Sequence, residues 1–175
     1  MNRREALTQG GRMAAVAALW AALPARTWAA LPAPAGWSAA DEEFLNSVGD
    51  TILPATASSP GAGSVGIGRF ILAMTNDCYP PSSAENLRRA MAELRAACAA
   101  RPAKEFSALT ANERQELLVA FEQRGLAGFR HLKDLTLWGY FTSEAGATQA
   151  LRYEPIPGGY RGSVRLQNGD RSWAI

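Results

Sequence analysis

The chain has 175 residues, with 18 Lys+Arg against 16 Asp+Glu, one histidine and two cysteines. A net charge of +2 lacks the basic excess of a nucleic-acid-binding surface. Two cysteines and one histidine do not make a usual zinc shell or an iron–sulfur ligand set.

Residues 1–30 read as an export signal. Arg3-Arg4 precedes a short, alanine-rich apolar run from Met13 to Leu23, and Thr27-Trp28-Ala29-Ala30 supplies the small residues that suit a peptidase. Arg3, Arg4 and Leu7 match the twin-arginine pattern, while Asn2, Ala6 and Thr8 depart from it. An ordinary secretory signal needs only the same charge-then-apolar order. The apolar run is about half of the roughly 20 residues that cross a bilayer. Cleavage near Ala29 would remove Arg3, Arg4, Arg12, Arg26 and Glu5. Lys+Arg then falls to 14, Asp+Glu to 15, and the net charge to −1.

Residues 31–37 have linker composition, and residues 38–175 form the remaining body. Ser38 to Asp41 predicts a helix cap, with a helix to Leu53 that places Phe44, Leu45, Val48, Ile52 and Leu53 on one face. Pro54 ends it. The stretch from Pro54 to Ser64 is a small-residue connector. It lacks the order of a phosphate loop. A second helix is expected over Val65 to Cys78, turning Ile67, Phe70, Ile71 and Met74 inward. Ser82 to Glu85 predicts the next cap, and Leu87, Met91, Leu94 and Cys98 form one stripe. Thr110 to Glu113 is the clearest capping box, followed by Leu117, Leu118 and Phe121. Phe129 to Phe141 is the most aromatic segment, and a helical turn from Ser143 reaches Leu151.

Beyond Tyr153 the chain is rich in Pro, Gly and aromatics and reads as an extended tail. Such an arm either binds a partner surface or folds back on its own helices. The fold class is therefore all-α: one small domain of about five helices with an extended Pro/Gly/aromatic tail.

Little chemistry stands out. His131 and Asp134 are three residues apart and can share a helix face, as a self-contained site in an exported enzyme or binding protein, or as ordinary polar residues. Cys78 and Cys98 either pair in an oxidising compartment or remain two small thiols. No dinucleotide fingerprint or nucleophile elbow is present.

The ordered motifs Asp50-Thr51-Ile52-Leu53-Pro54, Pro60-Gly61-Ala62-Gly63-Ser64-Val65-Gly66-Ile67 and Phe70-Ile71 resemble the gluconate 2-dehydrogenase subunit 3 family. So do Phe106 to Leu109, Phe129, Lys133, Leu135-Thr136, Gly139-Tyr140-Phe141-Thr142-Ser143-Glu144, and Leu151 to Gly158. Ala73 departs where that family usually has an acid.

The resemblance implies a non-catalytic small subunit that binds no cofactor itself. Its partner would be a large dehydrogenase subunit of the glucose–methanol–choline type, carrying FAD and oxidising a sugar or sugar acid. A c-type cytochrome subunit with haem c commonly accepts the electrons. The small subunit would assist folding of the large one and carry it through the twin-arginine translocase. The complex would sit in the periplasm, peripheral to the inner membrane. Trp138, Tyr140, Phe141, Tyr153, Pro157 and Tyr160 are the interface residues expected on this reading.

Overall fold

The structure is a computed structural model that describes residues 27–101, 105–156, 158–159, 163, 165 and 167–174. Arg3, Arg4, Leu7, Pro157 and Tyr160 lie outside the described residues. Among those described, the chain is all helical, with five α-helices and no strand.

Helix α1 (Ala39–Ile52) starts on the expected capping box. The Asp41 amide donates to Ser38 Oγ at 3.1 Å and the Ser38 amide donates to Asp41 Oδ2 at 3.0 Å. These bonds satisfy two amides that a helix start leaves without partners. Leu45 and Val48 are buried on its inner face. A 3₁₀ turn (Ala62–Val65) then delays α2 (Ile67–Cys78) by two residues relative to the expected start. The turn closes on Gly66 at φ +73°, a left-handed conformation that side chains disfavour.

Helix α3 (Pro81–Ala99) begins earlier than the Ser82 to Glu85 box predicts. Pro81 takes the first position, where its missing N–H costs nothing and its fixed φ suits the helix. Ser82 and Glu85 therefore lie inside the helix and no side-chain cap forms. The apolar stripe is as expected, with Leu87, Met91, Leu94 and Cys98 all buried. The second capping box opens α4 (Ala111–Gln123), where the Thr110 amide donates to Glu113 Oε2 at 2.8 Å. The hydroxyl and amide of Thr110 hold the Glu113 carboxyl below its ordinary pKa.

Helix α5 (Ala127–Phe141) is the hub, packing most extensively on α3 and then on α2. Two glycines set how closely it approaches. A Cβ at Gly128 would overlap the Asn86 carbonyl of α3, and one at Gly139 would overlap Phe70 and Ile67 of α2. Phe129, Leu132 and Leu135 fill the space between. Each fully buried side chain of this kind contributes about 1.5–3 kcal/mol of transfer free energy. The turn expected after Ser143 appears as a π-helical turn (Gly146–Ala150), held where Ser143 Oγ accepts the Gly146 amide at 3.0 Å.

The cysteine pairing left open above does not form. Both thiols are free, Cys78 exposed and Cys98 buried. Cys78 closes α2 just before α3 begins, whereas Cys98 lies 17 residues along α3, about 25 Å of helix at 1.5 Å per residue. Burial pushes the Cys98 thiol above its ordinary pKa, with Arg101 pulling weakly the other way. No helix among the described residues is long and apolar enough to cross a membrane.

Candidate partner-binding face

The aromatic run at the end of α5 divides between two faces. Positions 138 and 140 are about 200° apart at 3.6 residues per turn, so one must point outward when the other points inward. Tyr140 is the inward one, 3% exposed. Its hydroxyl donates to the Pro60 carbonyl at 2.6 Å, and its ring meets Phe141 edge-on at 5.3 Å. Tyr140 is therefore not an interface residue in this fold, against the expectation from the sequence. It pins the small-residue loop onto α5. Trp138 is 65% exposed, although its carbonyl is fully engaged by the Thr142 amide and hydroxyl. Phe141 is half-buried against the core.

Two further polar side chains, both on α1, hold the loop and the first turn of α2 that follows it. Asp50 Oδ1 accepts the Gly63 amide at 2.7 Å, and Asn46 Oδ1 accepts the Gly68 amide at 2.7 Å. An acid at a helix end ahead of a glycine-rich stretch was the signal available for Asp50; Asn46 left none. Asp50, the loop and Tyr140 are thus one assembly, which accounts for motifs 80 residues apart in the chain.

The tail adds exposed apolar surface. Tyr153 is 57% exposed and Ile156 83%. The end of the tail folds back: the Arg152 amide donates to the Ser172 carbonyl at 2.7 Å, and the Arg152 guanidinium lies 4.0 Å from the Trp173 ring centre. Arg171 donates to the Gln149 carbonyl at 2.7 Å, beside the π turn. The fold-back reading thus applies to the far end of the tail, while Tyr153 and Ile156 stay exposed.

The opposite end of the chain also differs from its linker composition. Trp28 sits in a 3₁₀ turn (Trp28–Ala30), donates from its indole to the Gly139 carbonyl at 2.7 Å, and packs on Phe70 at 4.8 Å between ring centres. Arg69 pairs with Glu42 at 2.7 Å and donates to the Leu31 carbonyl at 2.8 Å. Trp37 donates to Asn76 at 3.0 Å and lies under the Arg88 guanidinium, 4.2 Å away. Residues 28–37 are a strap across α2 and α3.

His131 and Asp134 lie one helical turn apart on α5. No hydrogen bond joins them among the described contacts. His131 Nε2 lies 3.0 Å from Thr75 Oγ1, and its ring meets Tyr79 edge-on at 4.5 Å. Burial pushes the imidazole below its ordinary pKa, and the Asp134 charge partly offsets this. Thr75 is 1% exposed. The contact ties α5 to α2.

A cleft of about 570 Å³ lies between α1 and α3, lined by Asp41, Phe44, Arg95, Cys98 and Phe106. Within it Arg95 pairs with Asp41 at 2.9 Å. No group of three His, Cys, Asp or Glu side chains that could hold a metal occurs among the described residues.

The family model for gluconate 2-dehydrogenase subunit 3 matches residues 39–158. No curated protein and no solved structure matches the chain. The matched stretch runs from the start of α1 to the beginning of the tail and includes Asp50, the loop, Trp138 and Tyr140. It spans well over half of the sequence, and the protein therefore belongs to the gluconate 2-dehydrogenase subunit 3 family, which is named as one subunit of a multi-subunit dehydrogenase.

Proposed function

We propose that this chain is the accessory small subunit of an exported FAD-dependent sugar or sugar-acid dehydrogenase. It binds the large flavoprotein subunit through Trp138, with Phe141, Tyr153 and Ile156 extending the contact. Its arginine-led N-terminus escorts that subunit through the twin-arginine translocase to the periplasm. FAD and the sugar chemistry belong to the large subunit, and haem c to a cytochrome subunit that takes the electrons.

The observation that carries this reading is Trp138, left in solvent on the best-anchored helix of the fold. A buried tryptophan contributes more contact energy than most side chains, and a rigid helix presents it without an ordering cost. Aromatic anchors of this kind dominate interfaces, each worth about 2 kcal/mol or more on truncation.

The escort role makes a direct prediction. With Arg3→Lys and Arg4→Lys combined, the large subunit should remain in the cytoplasm. Fractionation followed by detection of the flavoprotein measures this. A large subunit that still reaches the periplasm would remove the escort role and leave the binding role standing.

A further inference from the structure

Thr27-Trp28-Ala29-Ala30 carries two readings at once. By composition it is where a peptidase would cut the leader. By position it is part of the fold. The turn is closed by two backbone hydrogen bonds, Ala30 amide to Thr27 carbonyl at 3.1 Å and Leu31 amide to Trp28 carbonyl at 3.0 Å. On one side of the Ala29–Ala30 bond, the Trp28 indole is fastened to Gly139 and packed at a tilt on Phe70. On the other side, Arg69 holds the Leu31 carbonyl. Behind the turn the backbone touches Gly66: a Cβ there would come within 2.5 Å of the Ala29 nitrogen.

A peptidase needs its substrate backbone open and extended, and cleavage of a folded site runs through local opening. Ala29 and Ala30 are exposed, yet their backbone is a closed turn pinned at both ends. The twin-arginine route delivers its cargo already folded, so the turn is in place before a peptidase meets it.

We propose that folding of this domain protects the leader junction, with Trp28 as the latch, so that cleavage after Ala29 proceeds only when Trp28 releases Gly139 and Phe70. This rests on the leader reading given above and is independent of the dehydrogenase partner. Loss of Trp28 by cleavage would also leave the Gly139 carbonyl without its indole donor and bare the Phe70 ring.

The test incubates the purified full-length chain with a purified bacterial signal peptidase in detergent and follows intact mass. A synthetic peptide covering residues 14–36 is run beside it. The expected result is rapid cleavage of the peptide after Ala29 and at least about tenfold slower cleavage of the folded chain. Trp28→Ala should restore cleavage to within a few-fold of the peptide rate. Arg69→Ala, which keeps the tryptophan, should give an intermediate rate and serves if Trp28→Ala fails to fold by circular dichroism. Equal rates for peptide and folded chain would overturn the latch while leaving the leader reading intact. A peptide that is not cut would remove the processing site itself, and the proposal with it.

Discussion

The strap and the tail are both aromatic segments outside the five helices, and they are treated differently by the fold. In the strap, Trp28 and Trp37 each give their indole N–H to the helical body, and both rings are partly buried against the core. In the tail, Tyr153 and Ile156 project into solvent, and among the described residues the far end around Trp173 is tied down. Helix α5 shows the same contrast within three residues. Gly139 and Tyr140 serve the interior, while the Trp138 side chain is largely exposed. An aromatic side chain whose polar atom has an intramolecular partner is part of the fold. One that lies exposed on rigid backbone is available to a partner.

This difference can be broken by substitution, and the largest effect should fall on the inward side. Tyr140→Ala should destabilise the domain by about 3–5 kcal/mol, as for other large aromatic truncations in a core. Trp138→Ala should change stability by no more than about 0.5 kcal/mol. Denaturant melts of the two variants make the comparison. Equal losses would mean that Trp138 is a structural residue, and the partner face would have to be sought elsewhere.

The strap gives a smaller, sharper contrast. Trp28→Phe keeps an aromatic ring on Phe70 but removes the donor to Gly139. It should cost about 1 kcal/mol, within the usual range for one hydrogen bond. Thermal unfolding of the full-length chain would register this. A neutral result would mean that the Gly139 hydrogen bond does not help to hold the strap.

The smallest effect is a pH dependence of the inward face. Burial holds the His131 pKa below its ordinary value of 6.5, so the unfolded chain takes up the proton first. The stability associated with neutral His131 is fully present above about pH 6.5 and is lost as the pH falls through the folded value. The unfolding temperature should therefore drop between about pH 7.5 and pH 5.5. The drop should be smaller in His131→Gln. An unchanged drop in that variant would assign the acid sensitivity to other groups.

Much of the fold was legible because short-range chemistry decided it. Ser38 with Asp41 and Thr110 with Glu113 cap their helices as the spacing predicts. The Leu87, Met91, Leu94 and Cys98 stripe is buried throughout. The third capping signal failed because Pro81 starts α3 one residue before it.

The candidate face was only half legible. Aromatic content marked the end of α5, but it did not separate Trp138 from Tyr140. Helical rotation separates them once the inward face of the helix is known. Trp28 was missed for another reason. Its small neighbours read as a peptidase site, and its partners Phe70 and Gly139 are far away in sequence. Only long-range packing brings the three together.

The most direct test of the central claim is a pull-down of the tagged full-length chain from its native cells, run beside Trp138→Ala. The eluates would be identified by mass spectrometry and scanned for flavin absorbance. The account predicts a near-stoichiometric flavoprotein with the unaltered chain and, at about 2 kcal/mol or more, a roughly thirtyfold weaker complex with the variant. A colourless eluate, or equal flavoprotein recovery from both, would contradict it.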